Sequence, residues 1–370
     1  MKNILHKTII TLLLIIVFLF PTLTLANNEQ KTDQMFKAEV IKIIEQRENT
    51  LPDGEIVEQQ DLLLFGLESE YEGQEINFQG IDDFGIIKSN LYEIGDKVLV
   101  IASQNADGNV DFYITDYIRT NGIWWLSIFF ILTIIIVGRW KGFRSLLSLV
   151  LTFFVIIKFI IPQIIAGSNP ILITLIGSFA ILLAIIYVTE GLNKKSHLAV
   201  TSILISLIIT IVISWFFVEL TKLSGLVGED VFALINIGDA TINFKGLLLA
   251  GIIIGALGVL DDVVVSQIST VEELIGANDK LTKKELFQKS YSVGISHISS
   301  MTNTLFLAYA GASLSVLIIF ISGQSAFSSW SQIINNEQIA TEIVRALTGS
   351  IGLILSVPIS TILAVWWYKK

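Results

Sequence analysis

The chain reads as a membrane all-α bundle of about seven transmembrane helices, preceded by a small N-terminal extracytoplasmic all-β, OB-like domain. Three observations carry this. Of 370 residues, 53% are hydrophobic and only 15% charged, against the roughly one quarter charged of an ordinary soluble domain. Beyond Arg119 the apolar stretches approach the ~20 residues that cross a bilayer as a helix. Before it, short β-rich runs alternate with turn residues.

The first element, residues 1–26, reads as a signal peptide. Lys2 and Lys7 precede an apolar run from Ile9 to Phe20, and Pro21 and the small-residue end Thr24-Leu25-Ala26 follow. An uncleaved anchor is the alternative, and either places Asn27 onward outside. Residues 27–119 form the β-rich domain, with strands expected near Phe36–Ile44, Gln60–Leu67, Glu75–Phe78, Lys97–Ala102 and Asp111–Tyr117. Asn105-Ala106-Asp107-Gly108-Asn109 supplies a hairpin turn between the last two, because Asp, Asn and Gly tolerate positive φ. Five strands in this length suit an OB-like barrel. This domain holds the acidity: from Asn27 to Arg119 there are 20 acidic and 7 basic residues, a net of −13, while the whole chain carries −9. No nucleic-acid partner is expected for it, since a phosphate backbone needs clustered Lys and Arg.

Residues 120–370 form the bundle, with spans expected near Trp124–Val137, Leu146–Ile161, Ile171–Val188, Leu198–Val218, Leu247–Val265, Ile295–Ile321 and Ile343–Trp367. Arg139, Lys141 and Arg144 follow the first span, Lys194 and Lys195 the third, Lys280, Lys283, Lys284 and Lys289 the fifth, and Lys369 and Lys370 the seventh. Basic loops stay cytoplasmic. The expectation is therefore a plasma (inner) membrane protein with its N-terminal domain outside and its C-terminus inside. Between the fifth and sixth spans, Thr270 and Glu273 read as a capping box that opens a separate cytoplasmic helix.

Polar residues within lipid point to chemistry, because each is costly unless it faces a partner or water. On the fifth span, Gly251, Gly255, Gly258, Asp262, Ser266 and Ser269 share one helical face, and Asp261 points about 100° away. Gly251 and Gly255 make a GxxxG, and together with Gly258 and Gly311 they are candidates for close helix packing. On the sixth span, His297 and Ser300 align, with Asn303 beside them. An antiparallel pair brings these to the depth of Asp261 and Asp262. Carboxylates, a hydroxyl, an amide and an imidazole at one level are the composition of an ion or proton site. Packing through hydroxyls is the other reading of the Ser and Thr residues.

Two segments carry a family resemblance: Gly255-Ala256-Leu257-Gly258 through Asp262 and Ser269 to Glu273, and Met301-Thr302-Asn303-Thr304-Leu305 with Ala308-Tyr309-Ala310-Gly311. With the order of leader, exterior domain ending in Asp116-Tyr117-Ile118-Arg119, and bundle, the chain resembles the YibE/F-like membrane proteins over nearly its whole mature length. The resemblance implies a polytopic membrane protein of permease type. It brings no established substrate and no catalytic residues.

The exclusions narrow the function further. The chain has no cysteine and only three histidines, which removes thiolate and multi-histidine metal sites, and neither a metal nor another cofactor is expected. No GxxxxGK[ST] occurs, which argues against an ATP-driven pump within this chain. An intramembrane hydrolase needs two acids facing one bond, whereas Asp261 and Asp262 are consecutive and diverge. The sequence points to a permease or exporter rather than an enzyme, with a proton- or cation-coupled site at Asp261, Asp262, His297, Ser300 and Asn303. A non-transporting scaffold or sensor is the alternative. Expected partners are the lipid bilayer, a small solute or ion, and a second copy of the chain or another membrane subunit.

Overall fold

Alternating apolar residues give each strand one buried face, and five strands assemble on that basis: β1 (Gln34–Thr50), β2 (Ile56–Gly66), β3 (Glu75–Gln79), β4 (Lys97–Gln104) and β5 (Val110–Tyr117). The computed structural model describes residues 34–50, 56–81, 91–105, 109–227, 231, 234, 242–322 and 329–369. The expected leader, residues 1–26, lies outside these residues. The chain divides into two compact units, Thr24–Thr133 and Ile134–Lys370.

In the first unit the strand order is β3-β2-β1-β4-β5, antiparallel throughout. The outer strands β3 and β5 also approach one another, so the sheet curls into a half-barrel. Its core is Phe36, Ala38, Val40, Leu62, Leu64, Ile76, Phe78, Val98, Val100 and Ile114, at alternate positions along each strand. Phe36, Tyr71 and Phe112 close one end, with Phe36 stacked on Tyr71 at 4.5 Å. Buried Gln60 accepts from the Tyr92 amide at 2.8 Å and donates to the Tyr92 carbonyl at 3.2 Å, which ties that segment to the sheet. The expected hairpin closes through Asn105 N to Asn109 O at 2.8 Å and Asn109 N to Asn105 Oδ1 at 2.9 Å. Residues 106–108 at its tip lie outside the described residues.

The second unit is helical. The run Thr120–Ile165 is α1, which starts in the first unit and passes into the second at Ile134, with a π-helical turn at Ile156–Ile160. There follow α2 (Pro170–Thr189), α3 (Lys194–Leu220), α4 (Phe244–Ala277), α5 (Lys283–Ala312), α6 (Leu314–Ile321), α7 (Trp330–Asn335) and α8 (Glu337–Tyr368). Asparagine or threonine side chains cap five of these starts: Asn169, Asn193, Asn243 and Asn336, and Thr282 in a capping box with Glu285. The predicted cap at Thr270 is overridden. Its hydroxyl donates back to the Ser266 carbonyl at 3.0 Å and α4 runs on to Ala277. Local propensity there yields to the longer helix.

By length and composition five helices can cross a membrane, or six if α5 and α6, bent by 66°, make one span. About seven were expected. The difference lies in α1, where the first two expected spans, Trp124–Val137 and Leu146–Ile161, fall in one helical run. That run is broken at Arg139, whose φ of 49° and ψ of −130° are not helical. A Cβ on Gly142 would stand 2.0 Å from the Ile134 carbonyl oxygen. Residues eight apart in a straight helix are ~12 Å apart, so the backbone doubles back at Arg139.

α8 lies centrally, against α3, α4 and α5, and α4 also packs on α2 and α3. The main core joins Ile181, Leu182, Ile203, Leu207, Ile253, Leu257, Leu260 and Val264. Large apolar side chains such as Trp124, Trp125, Phe129, Val137 and Trp366 are exposed, an arrangement suited to lipid and unfavourable in water.

Candidate functional site

The register of α4 against α5 is set by two contacts. Gln267 of α4, 2% exposed, donates to the Ser290 carbonyl of α5 at 2.9 Å and to Thr361 Oγ1 of α8 at 2.7 Å. Twelve residues toward the N-terminus, a Cβ on Gly255 would lie 3.4 Å from the Tyr309 hydroxyl. Between these fixed points Asp262 stands level with His297, and Ser300 and Asn303 follow within the next two turns.

Asp262 is exposed and interacts electrostatically with His297, which is half-buried. Asp261 turns elsewhere. Its Oδ1 is buried without a hydrogen-bond partner, and it interacts electrostatically with Asp262 and with Glu190 at the end of α2. Glu190 in turn pairs with Lys195 at 3.0 Å. Ser300 and Asn303 are exposed along α5. Asp262 and His297 thus lie close enough to interact electrostatically without forming an ion pair or hydrogen bond, Asp261 faces Glu190 of α2 as well as Asp262, and Ser300 and Asn303 line the same side of α5 without contacting either acid through a hydrogen bond. Among the described residues no three His, Asp or Glu side chains gather as a metal site.

The glycines take two different places. Nothing lies within 4 Å of a Cβ built on Gly251 or Gly258 of α4, or on Gly311 of α5, so both helices border open space at these positions. Two close approaches fall at Gly294, where a Cβ would lie 2.4 Å from Val357 Cγ1, and at Gly352, where it would lie 2.0 Å from Thr210 Oγ1. Both bring α8 against its neighbours.

Sequence reasoning passed over two features. Gln267 is the polar node of α4, α5 and α8, and its signal was an amide among valines and isoleucines. Arg345 stands within α8, with Nη1 3.1 Å from Glu342 Oε1, and it helps line a cavity of about 460 Å³. A cation inside an apolar run was its signal.

No curated protein and no solved structure matches the chain. A family model described as YibE/F-like protein matches residues 126–370. The match takes in the helical unit whole, with the α4 and α5 segments whose resemblance the sequence had suggested. On that span the chain belongs to the YibE/F-like family of proteins.

Proposed function

We propose that this chain is a permease or exporter of the cell membrane whose proton- or cation-coupled site lies between α4 and α5, with Asp262 and His297 at its centre and Asp261, Ser300 and Asn303 around them. The observation that carries the reading is the electrostatic proximity of Asp262 and His297 on two neighbouring helices in an apolar bundle. A carboxylate in such surroundings needs a cation, a proton or water. Among the described residues Asp262 has no side-chain hydrogen bond that would fix it as a mere packing element, and the glycine face beside it leaves room for a small ion. In this reading α1 crosses twice, reversing at Arg139, and the bundle makes seven crossings with the sheet domain outside and the C-terminus inside. The sheet is then an OB-like barrel with β1 paired to both β2 and β4.

The enzyme alternative gains one acid pair on separate helices, Asp261 with Glu190. Lys195 already engages Glu190 at 3.0 Å, which removes the free second carboxylate that hydrolysis requires.

Proteoliposomes holding a pH-sensitive dye test the proposal. Asp262→Asn should abolish proton or cation movement that the wild type supports, with folding intact by size exclusion. Equal movement in both proteins would exclude Asp262 as the coupling residue.

A further inference from the structure

The cavity lined by Arg345 is a second place where polar groups stand ready for a ligand. It lies among α4, α5 and α8 and the segment after α3. Its volume of about 460 Å³ falls within the ~300–1,000 Å³ range of small-molecule sites. One wall is held by Glu337, whose Oε1 accepts from Ser224 N at 2.5 Å, Ser224 Oγ at 2.7 Å and Gly225 N at 3.1 Å. Gly225 has φ +79°, and a Cβ there would sit 2.4 Å from the Phe244 carbonyl oxygen. Only glycine closes the wall this tightly.

Two donors at the cavity are unsatisfied. Thr341, 2% exposed, has a buried Oγ1 without a hydrogen-bond partner, and Arg345 Nε is likewise buried and unpartnered. Glu342 takes Nη1 of the guanidinium at 3.1 Å and leaves Nε without a hydrogen bond. The Nε edge of an arginine receives a carboxylate with two near-parallel hydrogen bonds. A lone carboxylate would place a second negative charge beside Glu342 in a low-dielectric setting. A ligand that brings its own ammonium toward Glu342 keeps the cluster neutral. The remaining walls include Leu247, Leu248 and Ile339, which suit an apolar body.

We propose that this cavity binds a zwitterionic α-amino acid with an apolar side chain, its carboxylate on the Nε edge of Arg345 and Thr341, its ammonium on Glu342. Leu248 and Asp262 are separated by about 21 Å along α4. The cavity is thus well removed from Asp262, although its Tyr309 stands only about 9 Å along α5 from Asn303, and binding does not depend on the transport reading.

The test is saturable binding of radiolabelled leucine to the purified full chain in detergent. Unlabelled leucine should displace it at least about tenfold better than N-acetylleucine, which lacks the ammonium, or leucinamide, which lacks the carboxylate. Arg345→Gln should weaken binding by about tenfold or more. Glu342→Gln, which keeps the side-chain shape, should let N-acetylleucine compete as well as leucine, and it reads the same site if Arg345→Gln does not fold. Absence of saturable leucine binding, equal competition by the two blocked derivatives in the wild type, or undiminished binding in a folded Arg345→Gln would overturn the proposal. A chain that binds leucine but moves no proton keeps this site and removes the coupled-transport reading. A chain that moves protons without binding leucine does the reverse.

Discussion

Tyr92 illustrates how much one hydroxyl decides. Its ring is buried against Tyr117 at 4.9 Å, and its hydroxyl is buried with no partner. Burial first, then Tyr117, Asp116 and Asp96, pushes its pKa up to about 12 from 10. The unfolded chain therefore loses this proton before the folded one, and the stability contributed below pH 10 is lost as pH climbs toward 12. Tyr92→Phe should stabilise a 34–119 fragment by about 1 kcal/mol at pH 8 and lessen its loss of stability above pH 10. Urea titrations at pH 8 and 11 check both, and an unchanged pH dependence would show that Tyr92 is ionised elsewhere than supposed. At this scale the sequence was informative where geometry is strictly periodic. The 100° step between Asp261 and Asp262 sends one toward Glu190 and the other toward His297, as two successive helical residues must. Arg345 was illegible because a single cation disappears within the averaged hydropathy of a long apolar run, and its ion pair with Glu342 depends on where α8 begins.

Among the elements, the strands were the most legible. Phe36, Ala38 and Val40, then Val98, Val100 and Ala102, alternate cleanly, and each turns inward. The helix ends were less so. Thr270 and Glu273 have the spacing of a cap, yet Val271 and Ile268 are fully buried, and their packing carries α4 past that signal. The break at Arg139 falls where the sequence placed a basic turn between the first two spans, beside Gly138, and only its continuity as one helical run was unexpected. The α3–α8 contact gives a prediction at this level. Thr210 is anchored by its hydrogen bond to the Ser206 carbonyl at 2.8 Å, so a methyl at Gly352 has nowhere to go. Gly352→Ala should cost about 1–3 kcal/mol, read as a lower midpoint of thermal unfolding in detergent, and Thr210→Ala in the same chain should recover part of it. Full stability in Gly352→Ala would mean that the two helices pack more loosely than described.

For the whole molecule, the absence of cysteine makes single-cysteine mapping a clean experiment, and Ala166 is the discriminating position. If α1 crosses the membrane twice, Ala166→Cys is labelled by an impermeant maleimide from the side that labels Glu45→Cys, while Lys141→Cys, Lys194→Cys and Asp279→Cys react only after permeabilisation. If α1 crosses once, Ala166→Cys is protected and Lys194→Cys and Asp279→Cys react from outside instead. The length of α4 has a consequence for the lipid around it. Its 34 residues make a rod of about 51 Å, whereas the hydrocarbon slab is about 30 Å thick. The rod either tilts steeply or projects well beyond the headgroups, and each choice ties the protein's energy to bilayer thickness. A thicker or thinner membrane would therefore shift the angle at which α4 is held, making lipid composition a mechanical input to the bundle.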